Sequence, residues 1–456
     1  MLQLDDTIVA LSTPPGVGAI AVIRLSGKDA IAIAEKVFKG KKLTEQSSHT
    51  LHHGYITDQE KEIDEVVIAI FRAPHSYTGE DVIEISSHGS PYIAQQILQL
   101  FIINGARAAK AGEFTMRAFV NGKMDLSQAE AVADLIAADS ESARQTAMNQ
   151  MRGGFSSEIK QLRAGLIRFA SLIELELDFA EEDVRFANRE ELKQLILNLK
   201  SKMKNLASSF QLGNVIKHGV TTVIAGRPNA GKSTLLNALL NEDRAIVSEI
   251  PGTTRDAIEE VINLGGILFR LVDTAGIREA NDVIEKIGVE KTMEKISQSS
   301  IVIYLFDVKE MSSEHLKKDI SKLNLHGVSL LLVGNKIDGE EKRNLETEFG
   351  GFENLLFISA KQHLHLDLLK EKLVAMVLKN ETSADQTIIT SARHYDALSK
   401  ADCALESVLD SLQKNVSGEL FAADIRRALD ALGAITGEVT SDEILGEIFS
   451  KFCIGK

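Results

Sequence analysis

The string Gly226-Arg-Pro-Asn-Ala-Gly231-Lys232-Ser233 constrains this chain more than any other. It follows Val220–Ala225, an apolar run that reads as a buried strand, and it precedes the helical pattern Thr234–Leu240. A glycine-spaced loop between a strand and a helix lets backbone N–H groups surround phosphates at the helix N-terminus. Lys232 brings positive charge to the β- and γ-phosphates, and Ser233 offers a hydroxyl ligand for Mg²⁺. Asn229, Ala230, Gly231 and Thr234 complete the expected phosphate contacts. A strand–loop–helix unit of this kind belongs to a doubly wound α/β sheet.

Three further strings follow in the order such a sheet requires. Phe269-Arg-Leu-Val-Asp273-Thr274-Ala275-Gly276 is a strand ending in an acid and a glycine. Asp273 is placed to hold Mg²⁺ through water, and the Gly276 N–H to meet the γ-phosphate. Val328–Val333 leads into Gly334-Asn335-Lys336-Ile337-Asp338, where the Asp338 carboxylate can accept from both the N1–H and the exocyclic amine of guanine. Adenine would leave that carboxylate unpaired, so the discrimination is steep. Ser359-Ala360-Lys361 supplies the loop that closes over the base. Between the first two motifs, Pro251-Gly252-Thr253-Thr254-Arg255-Asp256 occupies the position of a γ-phosphate-sensing loop, with Thr254 as second Mg²⁺ ligand and Ser248, Glu249 and Ile250 just before it among the expected GTP contacts. The four ordered motifs make GTP the expected ligand. Ile277 stands where Ras-like proteins carry a water-orienting Gln. Its apolar side chain cannot hold water, so hydrolysis must recruit another group, and the acidic segment Glu279–Glu290 is the nearest source.

The rest of the chain divides around this unit. Residues 1–120 read as mixed α/β, with strand-like Ala19–Leu25, Val66–Phe71 and Asp81–Ser86 and a helical Pro91–Asn104. From Asp125, a candidate N-cap with Gln128 three residues on, the texture becomes helical over Leu126–Met151, Phe155–Phe179 and Glu190–Phe210. Helical patterns return at Ala392–Gln413 and Glu419–Leu432, and Thr440 with Glu443 forms a capping box for Ser441–Lys451. The predicted fold class is α/β and α. A Ras-like doubly wound P-loop domain (216–379) is inserted in a helical domain (121–215 plus 380–456), after an α/β N-terminal domain (1–120).

A formal net charge of −14 argues against unspecific RNA binding over the whole surface, because phosphate neutralisation dominates such affinity. Two cysteines make no disulfide framework, and no run of about 18 apolar residues exists, which makes the cytoplasm the expected compartment.

The P-loop with Asn229, the Gly252-Thr-Thr-Arg-Asp256 string and the terminal Phe452-Cys453-Ile-Gly-Lys456 closely resemble the MnmE (TrmE) family of tRNA-modification GTPases. Asp6–Ala10, Thr13–Gly16, Thr78–Val82 and Gly112–Phe114 extend the likeness to the N-terminal region. The resemblance implies that K⁺ replaces an arginine finger, with ligands from Asn229, Ser248, Ile250 and Thr253, and that G domains dimerise across the nucleotide. It places the water-orienting carboxylate on Glu285, beside Lys232 and Thr254 as catalytic groups. It further implies a homodimer whose N-terminal domain binds 5-formyl- or 5,10-methylene-tetrahydrofolate through Arg24, Glu84, Lys123 and Lys456. Arg24 and Lys123 would pair the folate carboxylates, and Glu84 would accept from the pterin N–H groups. With an FAD-dependent partner (MnmG) in a heterotetramer, the family adds an aminomethyl-type group to C5 of the wobble uridine of certain tRNAs.

The nucleotide motifs are shared with ribosome-assembly GTPases of the Era/Der type, so they do not separate the two readings. The acidic balance and the FCIGK tail favour tRNA modification over a basic RNA-binding module. A dynamin-like membrane role would need a basic or apolar membrane surface, and none is evident. Cys453, fourth from the end, lacks the aliphatic neighbours of a prenylation signal. Its position near Lys456 is compatible with a reactive thiol and equally with a small residue beside Phe452. The histidines, including His363-Leu-His365, show no metal-ligand spacing.

Overall fold

The computed structural model describes residues 5–178, 189–243, 259–273, 295–323, 325, 327–339, 342–378, 387–414 and 418–456. They fall into two compact units, one of Met1–Ile136, Met148–Ser201 and Asp396–Lys456, the other of Ala137–Ala147 and Lys202–Tyr395.

In the first unit, β1 (Ile8–Leu11), β2 (Ile20–Ser26), β3 (Phe38–Lys39), β4 (Thr50–Asp58), β5 (Lys61–Phe71), β6 (Val82–His88) and β7 (Arg107–Ala108) form one sheet. Its order is β3-β4-β5-β6-β2-β1-β7. The pairs are antiparallel except β1 with β7. Period-two alternation sends Ala21, Ile23 and Leu25 of β2 into a core with Ile68, Ile85, Ile97 and Phe101, beneath helices Ala30–Val37 and Pro91–Ile103. The intervening Arg24 turns to the opposite face, directly across from Glu84 in register. Leu51 and Val67 lie exposed on that same face.

The helical segments after residue 125 show how local signals set boundaries. Asp125 and Gln128 form the expected reciprocal cap: Gln128 N donates to Asp125 Oδ1 at 3.1 Å, and Asp125 N to Gln128 Oε1 at 2.9 Å. The predicted continuous helix Leu126–Met151 is instead two, Leu126–Ile136 and Glu141–Met151. Ser140 restarts it, its hydroxyl accepting from Ala143 N at 3.1 Å. The last helix spans Asp442–Ser450 and is capped by Ser441, whose hydroxyl accepts from Ile444 N. The expected cap one residue earlier, Thr440, is displaced because Ser441 has the extended backbone an N-cap needs.

The second unit is built on β8 (Val220–Ala225), β9 (Glu259–Leu264), β10 (Ile267–Asp273), β11 (Ile301–Asp307), β12 (Ser329–Asn335) and β13 (Leu355–Phe357). The sheet order is β13-β12-β11-β8-β10-β9, parallel throughout except for the β9–β10 hairpin. Every residue of β11 is buried. Ile301, Ile303 and Leu305 enter one hydrophobic core with Leu235, Leu239 and Leu369, while Val302, Tyr304 and Phe306 enter another with Leu316 and Phe349. Cover on both faces is why these strands read as unbroken apolar runs. The order reverses at β8, so the chain leaves β8 and β11 for opposite sides and opens a crevice beyond their C-terminal ends.

The segments that lead into and out of this unit lie side by side. Ile389 N donates to Ser209 Oγ at 3.1 Å, and Phe210 stacks on Tyr395 with ring centroids 4.8 Å apart. Gly213 is required there, since a Cβ would sit 1.9 Å from the Ile389 carbonyl oxygen.

Candidate nucleotide site and the N-terminal Arg24 cluster

The loop Gly226–Ser233 fills the crevice beyond β8. Gly226 has φ 147°, and a Cβ there would lie 2.0 Å from the Leu305 carbonyl oxygen of the neighbouring strand. Asn229 (φ 64°) and Gly231 (φ 98°) adopt left-handed backbone, which turns the loop into the helix Lys232–Asp243. Leu235 N donates to the Gly231 carbonyl at 2.9 Å, which closes the first turn, and the helix N-terminus ahead of it is the end that favours an anion. Ser233, Thr234 and Asn229 are exposed, whereas Ala230 is buried. Lys232 Nζ donates to the carbonyls of Gly226 and Arg227, 2.9 Å each, which keeps the ammonium curled over the loop.

Asn335 joins three motifs. Its Nδ2 donates to the Ala230 carbonyl at 2.8 Å, and its Oδ1 accepts from Ala360 N at 3.0 Å. It is 2% exposed, so both bonds form out of water. The Ser359 hydroxyl donates to Asp338 Oδ1 and accepts from Gln362 N at 3.2 Å, fixing the carboxylate without consuming its second oxygen. Lys336, with φ 68°, extends its ammonium to Asp307 Oδ2 at 2.7 Å. Lys361 is exposed and Ile337 half-buried. Arg227 pairs with Asp319 at 2.7 Å, and Tyr304 Oη donates to the same carboxylate oxygen at 2.9 Å. The Arg227 guanidinium, followed by the Tyr304 hydroxyl, holds the Asp319 carboxyl below its ordinary pKa.

Asp273 ends β10 with its backbone opposite Ile224 of β8; its side chain lies outside the described residues. So do Ser248, Glu249, Ile250, Pro251, Gly252, Thr253 and Thr254, together with Thr274, Ala275, Gly276, Ile277 and Glu285. Asp307 had drawn no attention in the sequence, although an acid closing an otherwise apolar strand was the available signal.

In the first unit, Arg24 gathers a second cluster. Its guanidinium meets Glu84 Oε1 through Nε (2.8 Å) and Nη2 (2.7 Å), and Nη1 donates to the Gly455 carbonyl at 3.3 Å. It also lies over the rings of Tyr77 (5.4 Å) and Phe114 (5.7 Å). The chain end is seated here: Ser12 Oγ donates to the same Gly455 carbonyl, Ile454 bridges to Ala111, and Phe452 is buried with Leu126, Leu445 and Phe449. Lys456 is half-buried; desolvation, then the nearby Arg24 charge, pushes its ammonium pKa down. Cys453 is exposed. Lys123 stands apart, its ammonium donating to the Pro74 carbonyl at 2.9 Å in the loop that also carries Tyr77. Arg24, Glu84 and Lys456 are thus brought together, and Lys123 borders them. Tyr77 and Phe114 supply ring surfaces that the sequence reading had not assigned.

Beneath the cluster, Arg117 is fully buried and ion-paired to Asp6 (2.6 Å), Glu80 (3.1 Å) and Glu113 (3.2 Å), with Arg107 bound to Asp6 and Glu113. This network fixes the 76–81 loop and the helix Glu113–Val120 that present Tyr77 and Phe114.

Known families match both regions of the chain. A family model described as the MnmE helical domain matches residues 126–453, and one described as the GTP-binding protein TrmE N-terminus matches residues 7–123. The chain belongs to the MnmE family. MnmE relatives named tRNA modification GTPase include that of Flavobacterium psychrophilum, 55% identical over 461 residues and 99% of each chain. That of Cytophaga hutchinsonii is 53% identical over 451 residues, spanning 99% of this chain and 98% of the relative. The MnmE of Christiangramia forsetii is 52% identical over the full length of both.

Proposed function

We propose that this chain is a GTP hydrolase acting in tRNA modification. The observation that carries the reading is Asn335, which ties the P-loop carbonyl of Ala230 to the Ala360 amide, alongside the Ser359 hydroxyl and the Asp338 carboxylate that bond each other. Guanine satisfies the Asp338 carboxylate with two N–H groups, and the helix N-terminus at Gly231–Thr234 receives the phosphates. Lys232 exchanges its two loop carbonyls for β- and γ-phosphate oxygens. Magnesium, when bound, neutralises those oxygens, with Ser233, Thr254 and Asp273 as its holders. Asn229, exposed and left-handed at the loop's turn, suits a ligand of K⁺, with Ser248, Ile250 and Thr253 as the other oxygen donors. Glu285 orients the attacking water in place of the missing Gln. The remaining contacts follow the motif: Glu249, Pro251 and Gly252 on the switch loop, Thr274, Ala275 and Gly276 after β10, and Lys336, Ile337 and Lys361 about the base.

The Arg24 cluster fits a tetrahydrofolate in its donor set: an anion for ring N–H groups, cations for carboxylates, and two aromatic faces. The Arg24–Glu84 pair holds both side chains in place before binding. We assign residues 1–120 to this cofactor and to homodimer formation, 121–215 with 380–456 to the helical domain, and 216–379 to the G domain. An FAD-dependent partner, MnmG, completes a cytoplasmic heterotetramer that modifies C5 of the wobble uridine. No described helix is long and apolar enough to cross a membrane.

The deciding measurement is nucleoside analysis of tRNA from a strain lacking this chain. Unmodified wobble uridine is expected; intact modification overturns the reading. GTPase rates are expected to rise steeply in K⁺ over Na⁺, with Asn229→Ala flattening the difference, and Glu285→Ala to depress kcat while nucleotide affinity holds.

A further inference from the structure

We infer that Asp307 is a positioning residue for nucleotide binding, acting through Lys336; the inference rests on the guanine-nucleotide reading above. Asp307 closes β11, whose seven residues are all buried, and is itself 7% exposed. Hydrophobic strands of this kind exclude carboxylates unless these are paired. Here both oxygens are used: Oδ1 accepts from Lys309 N at 2.9 Å, and Oδ2 takes the Lys336 ammonium at 2.7 Å. The Lys309 bond turns the chain at the strand end and orients the carboxylate. The Lys336 bond then anchors a residue that already has a left-handed backbone at φ 68°, so main chain and side-chain tip are both fixed, and on the guanine reading the stem between them is the surface the base meets. Side-chain entropy that a loose lysine would lose on binding is lost in advance, and the base meets a preset surface. The Asp338 carboxylate that reads the base edge is held by Ser359, and Lys309 Nζ touches only the Asp338 main-chain carbonyl, at 3.0 Å, so Asp307 bears on affinity through Lys336 and leaves guanine selection to the Asp338 side chain.

The test is equilibrium binding of GDP and IDP to the full chain and to Asp307→Asn, Lys336→Met and the double variant, with melting temperatures taken without nucleotide. Loss of the charged partner is expected to weaken GDP and IDP equally, by about tenfold. In the Lys336→Met background the same change is expected to cost less than about twofold. A wild-type chain that does not bind GDP defeats the functional reading itself. A wild type that binds GDP beside an Asp307→Asn chain that binds it as tightly defeats only this inference, as does an unchanged penalty in the Lys336→Met background. If Asp307→Asn does not fold, Asp307→Glu carries the test: it keeps the anion, misplaces it by a methylene, and is expected to weaken GDP by a few-fold that again vanishes with Lys336→Met. A penalty that persists there overturns the assignment.

Discussion

The nucleotide site and the Arg24 cluster solve the same problem, holding a charged ligand, with opposite materials. The first is made largely of backbone. Gly226, Asn229 and Gly231 carry it on positive φ, and Asn335 laces its loops together. The second is made of side chains brought from remote parts of the chain. Arg24 reaches Glu84 sixty positions on and the Gly455 carbonyl 431 positions on. A backbone site tolerates few residue types at each step and so leaves a short readable string. A side-chain site can be assembled from ordinary residues anywhere and leaves none.

That contrast predicts where substitutions act. The largest effect is expected at Asp338: Asp338→Asn turns the acceptor that guanine needs into a donor, weakening GDP by about 10²–10⁴-fold while improving xanthosine diphosphate. Titration with both nucleotides checks this, and an unchanged preference would separate Asp338 from base recognition. Next, Arg24→Met leaves the Glu84 carboxylate without the Arg24 guanidinium and the Gly455 carbonyl with Ser12 Oγ in its place. A cost of about 1–3 kcal/mol is expected from denaturant unfolding, with GDP affinity untouched. A large loss of GDP binding would mean the two sites are not independent. Smaller again, Gly455→Ala meets both a left-handed φ of 95° and a Leu11 carbonyl 2.3 Å from the new Cβ. The chain end should lift, read as faster amide exchange at Gly112 and Lys456, at about 1–2 kcal/mol. Exchange that stays slow would show that the end is held by Phe452 alone.

The smallest effect concerns acid. The Arg107 hydrogen bond, outweighing burial, and then Arg117 hold the Asp6 carboxyl below its ordinary 3.8. Burial pushes Glu113 upward, but Arg107, the Lys110 amide and Arg117 bring it below 4.5. Both groups therefore contribute stability that is present above about pH 4.5 and drains away as pH falls through their lowered values. Amide protection in residues 105–120 should fall below pH 4, and Arg107→Gln should weaken that dependence, with Arg117 retaining the remainder.

Legibility followed the same division. The P-loop, the NKxD string and the all-apolar strands were readable because each depends on neighbours in sequence. The reciprocal cap at Asp125 was readable for the same reason. The break at residues 137–140 was not, since Ala-rich sequence favours helix throughout and only the Ser140 cap marks the restart. Thr440 and Ser441 are chemically near-equivalent caps, and backbone geometry decided between them. Arg24 and Glu84 came from family resemblance; their pairing is a consequence of strand register, which no local pattern encodes. Asp307 is local in effect but acts through a lysine 29 positions later, and so escaped a motif-by-motif reading.

The meeting of Ser209, Phe210 and Gly213 with Ile389 and Tyr395 has an evolutionary consequence. A fold whose two ends emerge side by side can be spliced into a host through a single surface loop without stretching either chain. Such a segment is portable: its gene can move as a cassette and leave the host's own architecture intact. Replacing residues 209–395 with a short glycine linker asks whether the rest of the chain folds without this segment; a chain that stays unfolded argues against portability.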